Sequence, residues 1–258
     1  MTQGDYQDEQ DSTPDYAQPN LVSSSALAAS LDRLPMLGDD VYLRMQAFNV
    51  SVVEHLLMRT EHEALQTQFR NDKVRGDRLV MLSALTPMWF FSAYELLRTW
   101  RARCRDLITW ADNGGLALKL KAYAQDEGFT DFGKEVRAEQ VERVMNDPLL
   151  VEALRGALDV THFTFTRLEH IRIALAKHEV ANSKGAPAHS PGYGRMNRWC
   201  GSLEYELVRD GVTYDVVCRR DIADALRSTD TSNRPSKEEL SSFNAFMKGR
   251  GNGAGLWD

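Results

Sequence analysis

The chain has 258 residues, 43% of them hydrophobic, enough to bury a substantial core as one domain or two small ones. Its net charge of -6 is unevenly placed: the first twenty residues hold Asp5, Asp8, Glu9, Asp11 and Asp15 and no lysine or arginine, which leaves the remainder close to neutral. A near-neutral body argues against wholesale polyanion binding, whose non-specific affinity comes mostly from phosphate neutralisation.

The three cysteines, Cys104, Cys200 and Cys218, are odd in number and show no CxxC spacing. That argues against a disulfide framework and a zinc ribbon, and it fits a reducing, cytoplasmic compartment. No basic-then-apolar leader opens the chain, so secretion is not expected. The longest uncharged run, Leu79 to Tyr94, has sixteen residues and contains Pro87. A spanning helix needs about 20 apolar residues, so this run is expected to be a buried core helix and no membrane partner is expected.

Taken in order, residues 1–22 read as a disordered acidic tail, since the first twenty lack aliphatic side chains. Ser23 to Leu34 can form a short helix stopped by Pro35. From about Asp40 to Phe69 a long amphipathic helix is predicted: Val41, Met45, Phe48, Val52, Leu56 and Arg59 lie at helical spacing, with Val53 and Leu57 widening the stripe. Asn71 to Asp77 reads as a turn. A second long helix is predicted over Arg78 to Trp110, kinked or split near Ala84 by Pro87 and ended by Asn113-Gly114-Gly115. Shorter helices are expected over Leu116–Asp126 and Lys134–Met145.

Asp147-Pro148 starts the next helix, with Asp147 as the cap. It extends as far as Ala181 unless the β-branched patch from Val160 to Thr164 divides it. Asn182 to Arg198 reads as a long loop. Asp210-Gly211 then joins two alternating runs, Ser202 to Arg209 and Val212 to Arg219, as a type I′ hairpin. Pairing Arg209 with Val212 sets Leu207 opposite Tyr214, Tyr205 opposite Val216 and Leu203 opposite Cys218, all on one face. Glu204, Glu206, Thr213, Asp215 and Arg219 fall on the other face. In that register Cys200 and Cys218 are not partners. Asp221 can cap a short helix over Ile222–Arg227. Ser236 and Glu239 form a capping-box pattern before a last helix, and residues 249–258 form a flexible glycine-rich tail.

The expected fold is mainly α: a helical bundle with two long helices over residues 23–199, plus a C-terminal β-hairpin and short helices over 200–248 packed on the bundle. The densest gathering of chemistry-capable side chains lies between Asp147 and Lys184. There Arg172 and His178 have the form Arg-x5-His, which resembles the Arg-x4–6-His signature of the HEPN-class ribonucleases. The residue after the arginine, usually polar in that class, is Ile173 here, and Arg155-x6-His162 has the same form. The resemblance covers seven residues and a helical setting. It implies a metal-independent homodimeric ribonuclease acting on RNA, with His178 moving a proton at the 2′-hydroxyl and Arg172 stabilising phosphate charge.

Helical geometry supplies a competing cluster, because Arg167 and His178 are eleven residues apart and only about 20° apart around a helix, with His170 beside them. His55 and His62 share another face, with Arg59 between them. Their separation of about 10.5 Å along the axis is too long for one metal ion without ligands from another helix, such as His162 or His170. Arg98, Arg101 and Arg105, with Arg103 beside them, form a basic stripe able to track a phosphate backbone.

There is no GxxxxGK[ST], no GxGxxG after a strand, no GxSxG and no HExxH, which removes the common nucleotide-binding and hydrolase classes. The preferred reading is a soluble intracellular protein with a non-catalytic interaction or regulatory role, bound to another protein or to itself. The ribonuclease is the alternative and a metal-dependent helical-bundle enzyme the third. No cofactor and no resident metal are expected. The interaction reading predicts an exposed apolar patch on the bundle or the hairpin.

Overall fold

A computed structural model describes residues 16–71, 76–125, 131–176, 194–209 and 212–248. The architecture is mainly α, with two long helices and a small antiparallel sheet near the C-terminus. Helices α1 (Ala26–Leu31), α2 (Val41–Asn71), α3 (Gly76–Asp112), α4 (Leu116–Tyr123) and α5 (Phe132–Asn146) are followed by α6 (Leu149–Val160) and α7 (His162–Ala176). Strands β1 (Arg195–Met196), β2 (Leu203–Arg209) and β3 (Val212–Cys218) lead into α8 (Arg219–Arg227) and α9 (Lys237–Lys248). The expected glycine-rich tail, the Asp210-Gly211 turn and the acidic residues 1–15 lie outside the described residues.

The two long helices run antiparallel. Arg103 pairs with Asp40, the Trp89 indole donates to the Val50 carbonyl at 3.1 Å, and Arg78 pairs with Glu63 at 3.0 Å. α3 is the central element and contacts α2, α4, α5, α6, α7 and β2. Its buried side includes Trp89, Phe90, Leu97, Trp100 and Leu107. Despite Pro87 it is one continuous helix, not a split one: a proline costs the fold the bond to the carbonyl of Ser83, and packing against α2 offsets that loss. By length and composition α3 could cross a membrane, and 39% of its apolar window is buried in this fold.

The segment that could have been one helix from residue 149 onward is two, broken at Thr161. The hydroxyl of Thr161 turns back to the Ala157 carbonyl at 2.8 Å. The Arg101 guanidinium donates to the Leu158 carbonyl at 2.8 Å and to the Thr161 hydroxyl at 2.6 Å. A cation is thus seated at the broken helix end, where the helix dipole favours it. At the other end of α6 the Asp147 carboxylate accepts from the Leu149 amide, as the sequence predicts. The capping box of Ser236 and Glu239 also forms, with both reciprocal bonds present.

The hairpin departs from its expected register. Arg209 pairs with Val212 and Val208 with Thr213, but Leu207 then pairs with Asp215, Glu206 with Val216 and Tyr205 with Val217. Tyr214 is the extra residue of a β-bulge, which rotates every later residue of β3 to the opposite face. Val217 therefore faces inward in place of Val216, while Tyr214 turns toward α7 and α9. Part of the expected long loop forms β1 on the far side of β2. Asp221 sits within α8 rather than before it: β3 runs straight into that helix, and Asp221 accepts from the Cys218 amide at 2.8 Å. Residues 16–22, assigned to the acidic tail from sequence, lie against α8 and α2. The Tyr16 hydroxyl donates to Asp221 at 2.6 Å, and Arg220 donates to the Ala17 carbonyl at 2.8 Å.

Candidate functional site

The charged and histidine side chains of α7 are each engaged within the fold. Arg167 pairs with Asp215 on the bulged strand at 3.0 Å, and His170 Nδ1 shares a hydrogen bond with the Tyr214 hydroxyl at 2.6 Å. Arg172 turns elsewhere and lies over the Tyr94 ring of α3, 5.0 Å from its centroid. That ring stacks on Phe165, and its hydroxyl donates to Glu169 at 3.1 Å. Arg167 and Arg172 thus diverge, one toward β3 and one toward α3. His178 lies outside the described residues.

The basic stripe on α3 is divided by burial. Arg98 is exposed and paired with Glu95, Arg105 is exposed, and Arg103 is bound to Asp40. Arg101 belongs to the core, where its guanidinium also packs 4.7 Å over the Phe165 ring. Burial, reinforced by the charge of Arg105, lowers its pKa to about 10.

His55 and His62 line a cavity of about 490 Å³ with Arg59, Glu63 and residues 18–22. His62 bonds to Gln66, and His162 bonds to Asn244 at 2.7 Å on α9, so neither distant histidine approaches this cavity's pair. Among the described residues no group of three or more His, Cys, Asp or Glu side chains could hold a metal ion.

Two features of α2 stand out instead, on opposite sides of the helix. The inner side carries Leu43, Ala47, Val50, Glu54, Leu57, Glu61 and Ala64, alternately four and three residues apart and all buried. Glu54 and Glu61, 1% and 0% exposed, receive Arg219, which is itself fully buried at the first position of α8. Arg219 donates to Glu54 at 3.0 Å and to Glu61 at 2.9 Å through Nε, with a further bond from Nη2 to Glu61. Arg227 reaches Glu54 at 2.8 Å, and the Trp89 ring lies 5.6 Å from the Arg219 guanidinium. Burial alone would raise the pKa of Glu54, but the charges of Arg219 and Arg227 outweigh it and hold the carboxyl below its usual range. Burial and the nearby Glu61 push Tyr205 up to about 12.

The turn before β2 closes this cluster. Gly201 has a positive φ of 76°, and a side chain there would strike the Glu61 carbonyl, so glycine permits the close approach. Cys200 and Cys218 are both buried free thiols. They are not ladder partners, as expected, since Cys218 pairs with Glu204. The neighbouring Cys200 thiol and burial nevertheless raise the Cys218 pKa.

The outer side of α2 carries the stripe that the sequence marks as apolar. The structure turns it to solvent: Val41, Met45, Phe48, Val52 and Leu56 are all about half exposed, Phe48 at 55%. At 100° per residue these five side chains fall within an arc of about 80°. A groove of about 520 Å³ continues this surface onto α3 through Gln46, Asn49, Leu85 and Met88, the last 62% exposed. From residue 41 to 58 the only charged residues of α2 are Glu54, which is buried, and Arg44, which leans on Asp32 at 3.6 Å. On the α3 side the apolar part of the surface lies within the uncharged run from Leu79 to Tyr94, and Glu95, paired with Arg98, borders the groove.

The inner-face ion cluster is a structural lock that sequence reading missed. Its signal was the regular four-three spacing of Leu43 to Ala64, hidden by two glutamates among the apolar positions. Comparison with protein-family models, with curated proteins and with solved structures found no match.

Proposed function

We propose that this is a soluble intracellular protein with a non-catalytic interaction or regulatory role, working through the exposed apolar face of α2 and the neighbouring part of α3. One observation carries the reading: five half-exposed apolar side chains share one arc of α2, on which Arg59 is the first charge, in a chain in which 26% of residues are charged. Scattered exposed apolar residues need no explanation, but a contiguous patch of this kind marks an interaction site. Depletion of charge is also what separates interface cores from ordinary surface. The three unpaired buried thiols fit a reducing compartment. The ribonuclease and metal-enzyme readings gain nothing from the α7 side chains, which are engaged with Asp215, Tyr214 and Tyr94.

A photo-reactive amino acid placed at Gln46 or Asn49, on the rim of the groove, tests this in living cells. Adducts of defined mass are expected from both positions and none from the exposed Lys121 on α4. Absence of any discrete adduct from either groove position would refute the assignment.

A further inference from the structure

We propose that the occupant of this face is a second copy of the same chain, seated antiparallel with its two-fold axis beside Phe48. The inference rests on the interaction reading and deepens it. α2 is a two-faced helix: its inner four-three stripe is satisfied by α1, α3 and the C-terminal elements, and its outer stripe, Val41, Met45, Phe48 and Val52 at four-three-four spacing with Leu56 four residues further on, has no partner among the described residues. A stripe with that spacing is the seam along which helices pair by knobs into holes. It runs from Val41 to Leu56, about 22 Å.

The available area suits a dimer. Val41, Tyr42, Met45, Phe48, Val52, Leu56 and Met88 are each about half exposed or more. At roughly 100 Å² apiece they offer about 700 Å², near the ~800 Å² that each partner contributes to a standard-size interface. An apolar stripe also needs an apolar counterpart, and a two-fold axis supplies one without any other protein, because an isologous contact uses the same patch twice.

Charge selects the orientation. Antiparallel pairing centred on Phe48 sets Met45 against Val52 and Val41 against Leu56. It also carries Arg59, which lies on the same face and has no ion pair among the described residues, toward the other copy's Asp39, whose half-exposed carboxylate is bound by Arg143 on one side. Parallel pairing would set Arg59 against Arg59. A lipid surface fits less well: membrane-lying helices flank their apolar face with lysine and arginine. α2 contains no lysine, Arg44 beside the stripe is paired with Asp32, which leaves Arg59 alone to meet a headgroup, and Asp39 stands half exposed at the start of the stripe.

Sedimentation equilibrium on the full-length protein tests the assembly, with photo-crosslinking at Gln46 and vesicle flotation as companions. The wild type is expected at twice 29.2 kDa at micromolar concentration. Phe48→Asp is expected to weaken association at least 100-fold while leaving the helical circular dichroism unchanged. Under mild oxidation, a mixture of Met45→Cys and Val52→Cys proteins should form the linked dimer, and Met45→Cys alone should not. Linking by Met45→Cys alone would overturn the antiparallel arrangement.

A wild-type monomer whose Gln46 position captures a different protein in cells would overturn the self-pairing and leave the interaction reading standing. A monomer that floats with phosphatidylcholine vesicles would assign the face to lipid and overturn both. A monomer that does neither would also overturn both.

Discussion

The two sides of α2 invert the ordinary arrangement of a soluble helix. The inner side buries two carboxylates and the outer side exposes Val, Met, Phe, Val and Leu. Each is intelligible only with what it meets. The carboxylates are tolerable inside because Arg219 and Arg227 satisfy them, since an ion buried without a partner costs several kcal/mol. The apolar side chains are tolerable outside if a second surface covers them. The network ties the inward side of α2 to α8.

The comparison breaks most sharply at Arg219. Replacing it by Ala strands Glu54 and Glu61 in the core, and urea denaturation is expected to show a loss of about 3–5 kcal/mol. Replacing Glu54, Glu61 and Arg219 together by Met should recover most of that loss, because Arg227, the charge that remains, is 13% exposed and keeps Asp224 as its partner. A single-variant loss below about 1 kcal/mol would mean that the cluster is solvated and the inward side misassigned.

Next in size is a pair of truncations on the two sides. Leu57→Ala, on the buried side, is expected to cost about 2–4 kcal/mol through cavity formation. Phe48→Ala should change the stability of the isolated monomer by less than about 1 kcal/mol, since a half-exposed ring has little burial to lose. Equal losses would erase the distinction. The same contrast recurs on α3. Arg101→Ala should cost about 2–3 kcal/mol, since it removes the guanidinium from both the Leu158 carbonyl and the Thr161 hydroxyl and its packing on Phe165. Arg105→Ala, one turn away and exposed, should stay within about 0.5 kcal/mol.

The smallest effect expected is in pH dependence. The folded-state pKa of Glu54 is depressed, so its contribution is complete above the ordinary carboxyl value of 4.5 and is lost as pH falls through the lower folded value. Chemical-denaturation midpoints measured below pH 4.5 should therefore fall less steeply in Glu54→Gln than in the wild type. An unchanged slope would show that Glu54 gains nothing from its arginines.

Much of the fold was legible in the sequence, and the reason is local. Caps at Asp147 and Ser236, the Gly-rich stop after Asp112, the hairpin around residues 210–211 and both long helices follow from side chains acting on their own backbone. What failed depended on distant partners. The hairpin register was lost at a single bulge, because Tyr214 finds His170 and Phe246 across the molecule. The orientation of α2 was lost because Val-Met-Phe-Val-Leu is more apolar than Leu-Ala-Val-Glu-Leu-Glu-Ala. Only an arginine 158 residues beyond Glu61 makes the second stripe the buried one. Arg219 itself read as a solvent-facing end of β3, and the bulge together with the direct strand-to-helix junction turned it inward.

The placement of Arg219 also governs the order in which the molecule can be completed during synthesis. Glu54 and Glu61 are translated 165 and 158 residues before their counter-ion. At 5–20 residues per second that is a delay of roughly ten to thirty seconds. Throughout that interval the future interior of α2 is hydrated and charged, while its outer stripe is already apolar and free to associate. Closure of the interior is therefore a late, long-range event, and a nascent chain has the means to meet a neighbour before it has finished its own core.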